Sequence, residues 1–312
     1  MSYILFRRIL SEYKKGCYIM GFLSNLINGI SLGSIYAVIA LGYTMVYGIA
    51  KMLNFAHGDV IMIGAYVVYL TSVKAGLPPV LAVVIAMVAC TILGITIEKV
   101  AYKPLRKATS LAVLITAIGV SYFLQNIALV IFGANPINFT SVVNVPVIKL
   151  FDGQIVISGE ASTAIVVSVV IVIALSLFIK KTKSGKAMLA VSEDKGAAQL
   201  MGVNVNRTIS LTFAIGSALA AIAGALLCSA YPILSNTTGA MPGIKAFVAA
   251  VFGGIGSIPG AMIGGILIGV IEILGKAYIS TQLADAIVFG VLILVLMFKP
   301  TGILGKKINE KV

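Results

Sequence analysis

Long apolar runs broken by short polar ones dominate the chain. Ser162–Ile179 and Thr208–Tyr231 are each apolar and long enough to cross a bilayer. Between them lies Gly185–Arg207, the one long polar stretch set deep among hydrophobic runs. Lipid offers no partners for charged groups, so this segment must stand in water on one side of a membrane. Ala187, Met188, Leu189, Val191, Leu200 and Met201 supply helix formers with apolar faces, which predicts a short helix there. Gly202 ends it, because glycine takes the left-handed C-terminal conformation without a side-chain clash. A helix held between two spans is a handle by which something outside the membrane can push on them.

The remaining runs follow the same logic. Gly21–Ala50 would be about 45 Å long as one helix at roughly 1.5 Å per residue, against a hydrocarbon core of about 30 Å. It carries Gly29, Gly33, Gly42 and Gly48. If the basic stretches before it and at Lys99–Lys107 are both inside, the crossings between them must be even in number. Two short or tilted helices are therefore predicted over Gly21–Ala50. Gly76-Leu77-Pro78-Pro79 is a turn, since proline fixes its own backbone and pushes its predecessor out of the helical region. Pro79–Val100, Leu111–Phe132, Met241–Gly256, Pro259–Tyr278 and Leu283–Phe298 read as further helices. Met62-Ile63-Gly64 and Met262-Ile263-Gly264 match, which raises a parallel internal repeat of the sort transporters use, with coincidence the competing explanation. Residues 133–160 form the long external segment. Within it, Val147–Phe151 and Gln154–Ser158 are β-prone and flank Asp152-Gly153, a hairpin turn signal.

Composition sharpens the class. The chain is 60% hydrophobic and 11% charged, with a mean hydropathy of +1.09. Soluble domains sit near half apolar and a quarter charged. The expected fold is all-α, a polytopic transmembrane bundle of about 8–10 membrane helices with a small external hairpin and a cytoplasmic coupling helix. Residues 1–20 read as a cytoplasmic extension, 21–305 as one membrane domain with a cytoplasmic segment at 181–208, and 306–312 as a basic tail. Met20 is an alternative start, and no signal peptide is apparent. The net charge of +13 does not call for nucleic acid. The cations cluster between spans, around Arg7–Lys15, Lys99–Lys107, Lys180–Arg207 and Lys299–Lys311, as the positive-inside rule asks of cytoplasmic loops. Both termini are accordingly placed inside. Cys17, Cys90 and Cys228 are too scattered for a disulfide or metal framework.

Nothing looks catalytic. His57 is the only histidine, no phosphate-cradling GxxxxGK[ST] occurs, and no cofactor is implied. Asn54, His57 and Asp59 form one polar constellation, suited to a helix break lining the path or its cytoplasmic mouth. Helix capping by Asn54 or Asp59 is the plainer alternative. Gly253, Gly254 and Gly256 form a second, read either as a hinge beside the pathway or as tight helix packing. Lys245, Glu272 and Asp285 lie in or near apolar spans, where ionisable groups usually face the bundle interior. Glu272 and Lys276 could pair across one helical turn. Glu98 and Lys276 are expected to snorkel outward from helix ends.

Three stretches carry a resemblance: Asn25–Ile49 followed by Leu53–Asp59 (LNFAHGD), Lys245–Gly265, and Phe298–Gly305 (FKPTGILG). Over about Gly21 to Gly305 the chain resembles the integral membrane permeases of bacterial branched-chain amino-acid ABC transporters. Glu193, Ala197, Ala198 and Gly202 echo the "EAA…G" pattern of ABC permeases, though the glutamate lies four residues before the alanine pair. The resemblance implies that this segment couples to an ATPase. It also implies two ATP-binding subunits, a second related permease, an external binding protein and location in the bacterial inner membrane. The family also includes permeases for urea, short amides and other amino acids. From another class, an ion-coupled secondary carrier is the alternative.

Overall fold

The computed structural model describes residues 2–305 except 107, 151, 152 and 154, and of residues 2–18 it describes the helical backbone alone. Eleven helices and four short strands are described. The expected basic tail at 306–312 and Asp152 of the expected turn lie outside the described residues.

The first apolar run is one helix, α1, Ser2–Ala50. The expectation of two crossings over Gly21–Ala50 is therefore wrong, and the glycines explain why. Gly29 and Gly33 do not break the helix; they let another backbone in. A Cβ on Gly33 would lie 2.6 Å from Ile266 Cα, and one on Gly269 would lie 2.2 Å from Gly33 N. Small residues spaced along a helix allow this close approach in lipid, where van der Waals contact drives association. The partner is α10 (Ile258–Tyr278), and the pair makes α1 the buried axis of the bundle.

The other helices begin where capping residues stand. Thr109, Ser158, Thr182, Asp194, Asn204 and Ser257 each accept a hydrogen bond from a first-turn amide. They start α4 (Ser110–Phe132), α5 (Gly159–Lys181), α6 (Lys183–Glu193), α7 (Lys195–Leu200), α8 (Val205–Ala230) and α10. α3 (Pro79–Ile97) starts on a proline, whose missing amide costs nothing at that position. α2 (His57–Tyr69) and α3 each run on into a π-helical turn, at Leu70–Lys74 and Glu98–Tyr102. α9 spans Ala240–Gly253 and α11 spans Ala284–Phe298. Six of these helices are long and apolar enough to cross a membrane, with α9 and α11 shorter.

The strands are small. β2 (Ile148–Leu150) pairs antiparallel with β3 (Ile155–Ile157), the expected hairpin, and Gly153 takes φ 85° within it. β1 (Ile137–Asn138) pairs with β4 (Ile233–Leu234), tying the long 133–160 segment to the α8–α9 connection. These strands mark one end of the bundle, the hairpin end. α6 and α7 mark the other.

Helix directions follow from close contacts. Asp59 bonds to Gln125 and Tyr66 stacks on Phe132, so α2 runs alongside α4 toward the hairpin end. Gly264 meets Ala249 and Gly253 meets Gly260, so α9 and α10 are antiparallel. Taken together, α1–α4 and α8–α11 are two sets of four running in opposite senses. In each, a long buried helix is followed by a shorter one that begins inside the bundle. The repeat is thus inverted, not parallel. Met62-Ile63-Gly64 and Met262-Ile263-Gly264 fall in α2 and α10, which are not counterparts. Because α1 crosses once, its ends lie at opposite ends of the bundle. Phe22 packs against Tyr278 at one, with ring centroids 6.3 Å apart. At the other, Ala50 O accepts from Lys195 Nζ. The even-crossing step that put residues 1–20 on the same side as Lys99–Lys107 fails with it.

Candidate translocation path and coupling surface

The two inner helices meet head to head. A Cβ on Gly239 would lie 1.8 Å from the Gly58 carbonyl oxygen, so only glycine fits where the starts of α2 and α9 touch. Half-helices starting within a bundle, with irregular backbone before them, are the architecture transporters use to build a path.

Asn54, His57 and Asp59 are all buried here, but they face different neighbours. Asn54 Oδ1 accepts from the Tyr102 hydroxyl at 2.9 Å, locking the loop before α2 to the end of α3. Asp59 accepts from Gln125 Nε2 at 2.9 Å, tying α2 to α4. Neither caps α2 through its side chain. His57 sits against Gly42, with its ring edge-on to Tyr43 at 4.7 Å. Neither imidazole nitrogen has a hydrogen-bond partner among the described residues.

Tyr43 also packs on Phe247, 5.8 Å away, and Phe247 on Phe55, 5.5 Å away. This aromatic group fills the middle of the bundle. On its hairpin side lies a cavity of about 190 Å³ lined by Leu32, Tyr36, Leu227, Tyr231, Glu272 and Lys276, among others. On the other side, beside Tyr43, Asn54 and Ala250, only about 10 Å³ is free, room for about one water. Of these two cavities, the larger lies on the hairpin side of the aromatic group.

The wall of the larger cavity carries a charge network. Glu272 is 1% exposed. Its Oε1 accepts from Lys245 Nζ at 2.8 Å and from Lys276 Nζ at 2.6 Å, and its Oε2 accepts from the Tyr36 hydroxyl at 2.8 Å. Lys245 also pairs with Asp285 at 2.7 Å. The expected Glu272–Lys276 pairing is present. Tyr36 was not legible as a partner, because 236 residues separate it from Glu272.

Glu98 corrects an expectation. It does not snorkel; it is fully buried, accepting from Arg106 and, at 2.6 Å, from Ser210 Oγ. Arg106 also donates to Asn206. One arginine, four residues past the turn that begins at Glu98, thus joins the end of α3 to the start of α8.

The glycine constellation lies at the α6–α7 end. Gly254 and Gly256 have φ of 104° and 92°, which other residues rarely adopt. Gly253 packs on Gly260, where a Cβ would come within 1.9 Å of the carbonyl oxygen. The chain after α11 lies on this turn: Ile303 N donates to Phe252 O and Leu304 N to Gly253 O, each at 2.9 Å. The second and third signature stretches therefore form one structural unit.

The polar segment is two helices where one was expected. Asp194 breaks it and caps α7, accepting from Gly196 N at 2.7 Å and Ala197 N at 2.9 Å. Gly202, at φ 82°, ends it as expected. Of the four coupling candidates, Glu193, Ala197 and Gly202 are exposed and Ala198 is buried. Leu200 and Met201, 90% and 84% exposed, project beside them. Lys195 Nζ donates to Ala50 O at 2.9 Å, a direct tie from α7 to the end of α1. Burial, then the nearby charges of Arg106 and Lys51, pull the Lys195 pKa below the usual lysine range.

Residues 25–296 match the family model described as branched-chain amino acid transport system / permease component. The chain is 45% identical over 309 residues to the high-affinity branched-chain amino acid transport system permease protein LivH of Escherichia coli K12, covering 93% of this chain and 98% of that one. It is 44% identical over 316 residues to the corresponding permease BraD of Pseudomonas aeruginosa, with the same coverage. A Methanocaldococcus jannaschii protein named as a probable branched-chain amino acid transport permease is 30% identical over 285 residues, 87% of this chain and 89% of its own.

Proposed function

Since the chain belongs to the family of branched-chain amino acid transport system permease components, we propose that it forms the path for leucine, isoleucine and valine in an ATP-driven importer of the bacterial inner membrane. The observation that carries this reading is the match across nearly the whole chain to permeases of that named activity. Two ATP-binding subunits dock on the α6–α7 face, which is cytoplasmic, and a binding protein delivers substrate at the hairpin end. A second related permease completes the path.

The geometry supports a mechanism of alternating access. The cavity between α1, α8 and α10 faces the hairpin end, and Tyr43, His57 and Phe247 close the middle. ATP binding moves α6 and α7. Lys195 passes that movement to the end of α1 through Ala50, and Arg106 links the neighbouring α3 and α8. α1 carries both Tyr36, in the larger cavity, and Tyr43, in the smaller one, so its displacement acts on both. The ATPases bias which of the two arrangements is populated. Asn54 and Asp59 hold the start of α2 in register, Gly253, Gly254 and Gly256 form the hinge beside the cytoplasmic mouth, and Glu193, Ala197, Ala198 and Gly202 shape the coupling surface. In this orientation Phe298–Gly305 lies at the cytoplasmic face, and Ile19 lies at the outer face.

Reconstitution tests the reading. Proteoliposomes with this chain, the two ATPases, the second permease and loaded binding protein are expected to accumulate leucine only with ATP. Gradient-driven leucine uptake by this chain alone would contradict it.

A further inference from the structure

We propose that the cavity at the hairpin end is a subsite for a free amino acid, in which Lys276 holds the carboxylate and the apolar lining takes the aliphatic side chain. The proposal rests on the import reading and adds a place within the chain where substrate is checked after delivery.

Chemistry assigns the roles. The cavity, about 190 Å³, is smaller than the roughly 300–1,000 Å³ typical of drug-sized sites, which suits one small metabolite. Leu32, Leu227 and Pro242 supply apolar lining, and Tyr36, Glu272 and Lys276 supply polar lining. An amphipathic molecule with one charged end fits that division. Glu272 is already engaged by Lys245, Lys276 and Tyr36, so its carboxylate holds the frame and is not free for a ligand's ammonium. Lys276 differs. Its ammonium has three donors, and one hydrogen bond, to Glu272, is made among the described residues. Its side chain is 35% exposed where Glu272 is 2%. Glu272 thus anchors an ammonium that presents its other donors to the cavity, where it can bind a carboxylate. The Tyr231 hydroxyl, on the same rim, can accept from the ligand's ammonium.

The frame also predicts selectivity. Lys245 and Lys276 balance Glu272 and Asp285. A zwitterion with an apolar side chain leaves that balance intact. A side chain bearing a second positive charge would meet Lys276 or the apolar lining, and either opposes it.

Ile233→Cys places a thiol at the rim, where the native residue is 60% exposed. The complete importer carrying it is reacted with a bulky thiol reagent, with the unsubstituted importer as background. Millimolar leucine is expected to slow labelling several-fold. Leucinamide, which lacks the carboxylate, is expected not to. Adding Lys276→Gln should abolish protection by leucine, and Lys276→Arg should keep it. Equal protection by leucine and leucinamide, or protection surviving Lys276→Gln, would overturn the proposal. So would absent protection in an Ile233→Cys importer that still carries leucine, and that outcome leaves the import reading standing. Failure of the unsubstituted importer to carry leucine would remove the import reading itself.

Discussion

Glu272→Ala is expected to destabilise the bundle by about 3–5 kcal/mol, the usual cost of breaking a buried ion pair by removing one partner. The size follows from what is left behind. Lys245, 6% exposed, loses one carboxylate and keeps Asp285. Lys276 loses its hydrogen-bonded anion, and the Tyr36 hydroxyl loses its acceptor. Those groups bridge α1, α9 and α10, three of the helices that line the hairpin-end cavity. At about 2 °C per kcal/mol for a chain of this size, the midpoint should fall by roughly 6–10 °C. Thermal unfolding of the detergent-purified complex measures it. Removing both charges, as Lys245→Met with Glu272→Leu, should recover part of the loss, because the remaining penalty is that of an uncompensated charge. A midpoint for Glu272→Ala within a degree of the native value would show that the network does not hold these helices.

Leu200→Asp with Met201→Asp is expected to give the opposite signature: a stable permease that no longer responds to its ATPases. Both side chains project almost wholly into solvent, so changing them should move isolated-subunit stability by no more than about 0.5 kcal/mol each. Seated in a partner's groove, each would contribute about 1.5–3 kcal/mol of apolar burial. Losing both, with a charge put in each place, should weaken ATPase docking by more than about a hundredfold. Co-purification of the ATPase subunits and stimulation of hydrolysis by loaded binding protein report this directly. Undiminished stimulation would place the docking surface elsewhere.

What could be read from residue order was what depends on local chemistry. The Gly76–Pro79 turn, the terminator Gly202 and the Asp152-Gly153 hairpin signal act over a few residues. The start of α3, the end of α7 and strands β2 and β3 stand where those residues put them. The helical fold class followed from run length alone. Contacts between distant helices were not legible. Gly29 and Gly33 look the same whether they break a helix or admit a neighbour, and only Gly265 and Gly269 on α10 decide it. That ambiguity led to two helices over Gly21–Ala50 and, through the parity of crossings, to the placement of the N-terminal segment. Glu98 looked like an end-of-helix charge because its two partners, Arg106 and Ser210, lie beyond a turn and across the bundle.

The candidate site divides the same way. The polar residues around His57 were visible as a constellation, but Tyr102 and Gln125, which turn Asn54 and Asp59 into interhelical ties, lie 48 and 66 residues away. The inverted arrangement left almost no mark in the sequence. What it conserves is shape: a long buried helix, an inner start, a glycine where the two inner starts meet. Gly58 and Gly239 are that meeting point, and neither carries a side chain by which pattern could reveal it.

Coupling through α6 and α7 requires that both stand in the cytoplasm against an ATPase. Leu200→Cys in an otherwise functional importer, probed with a membrane-impermeant thiol reagent, tests this most directly. In intact cells the cysteine should stay unlabelled. In inside-out vesicles stripped of ATPase subunits it should react fully, and adding those subunits back should shield it. Labelling in intact cells, or full reactivity with the ATPases bound, would contradict the account.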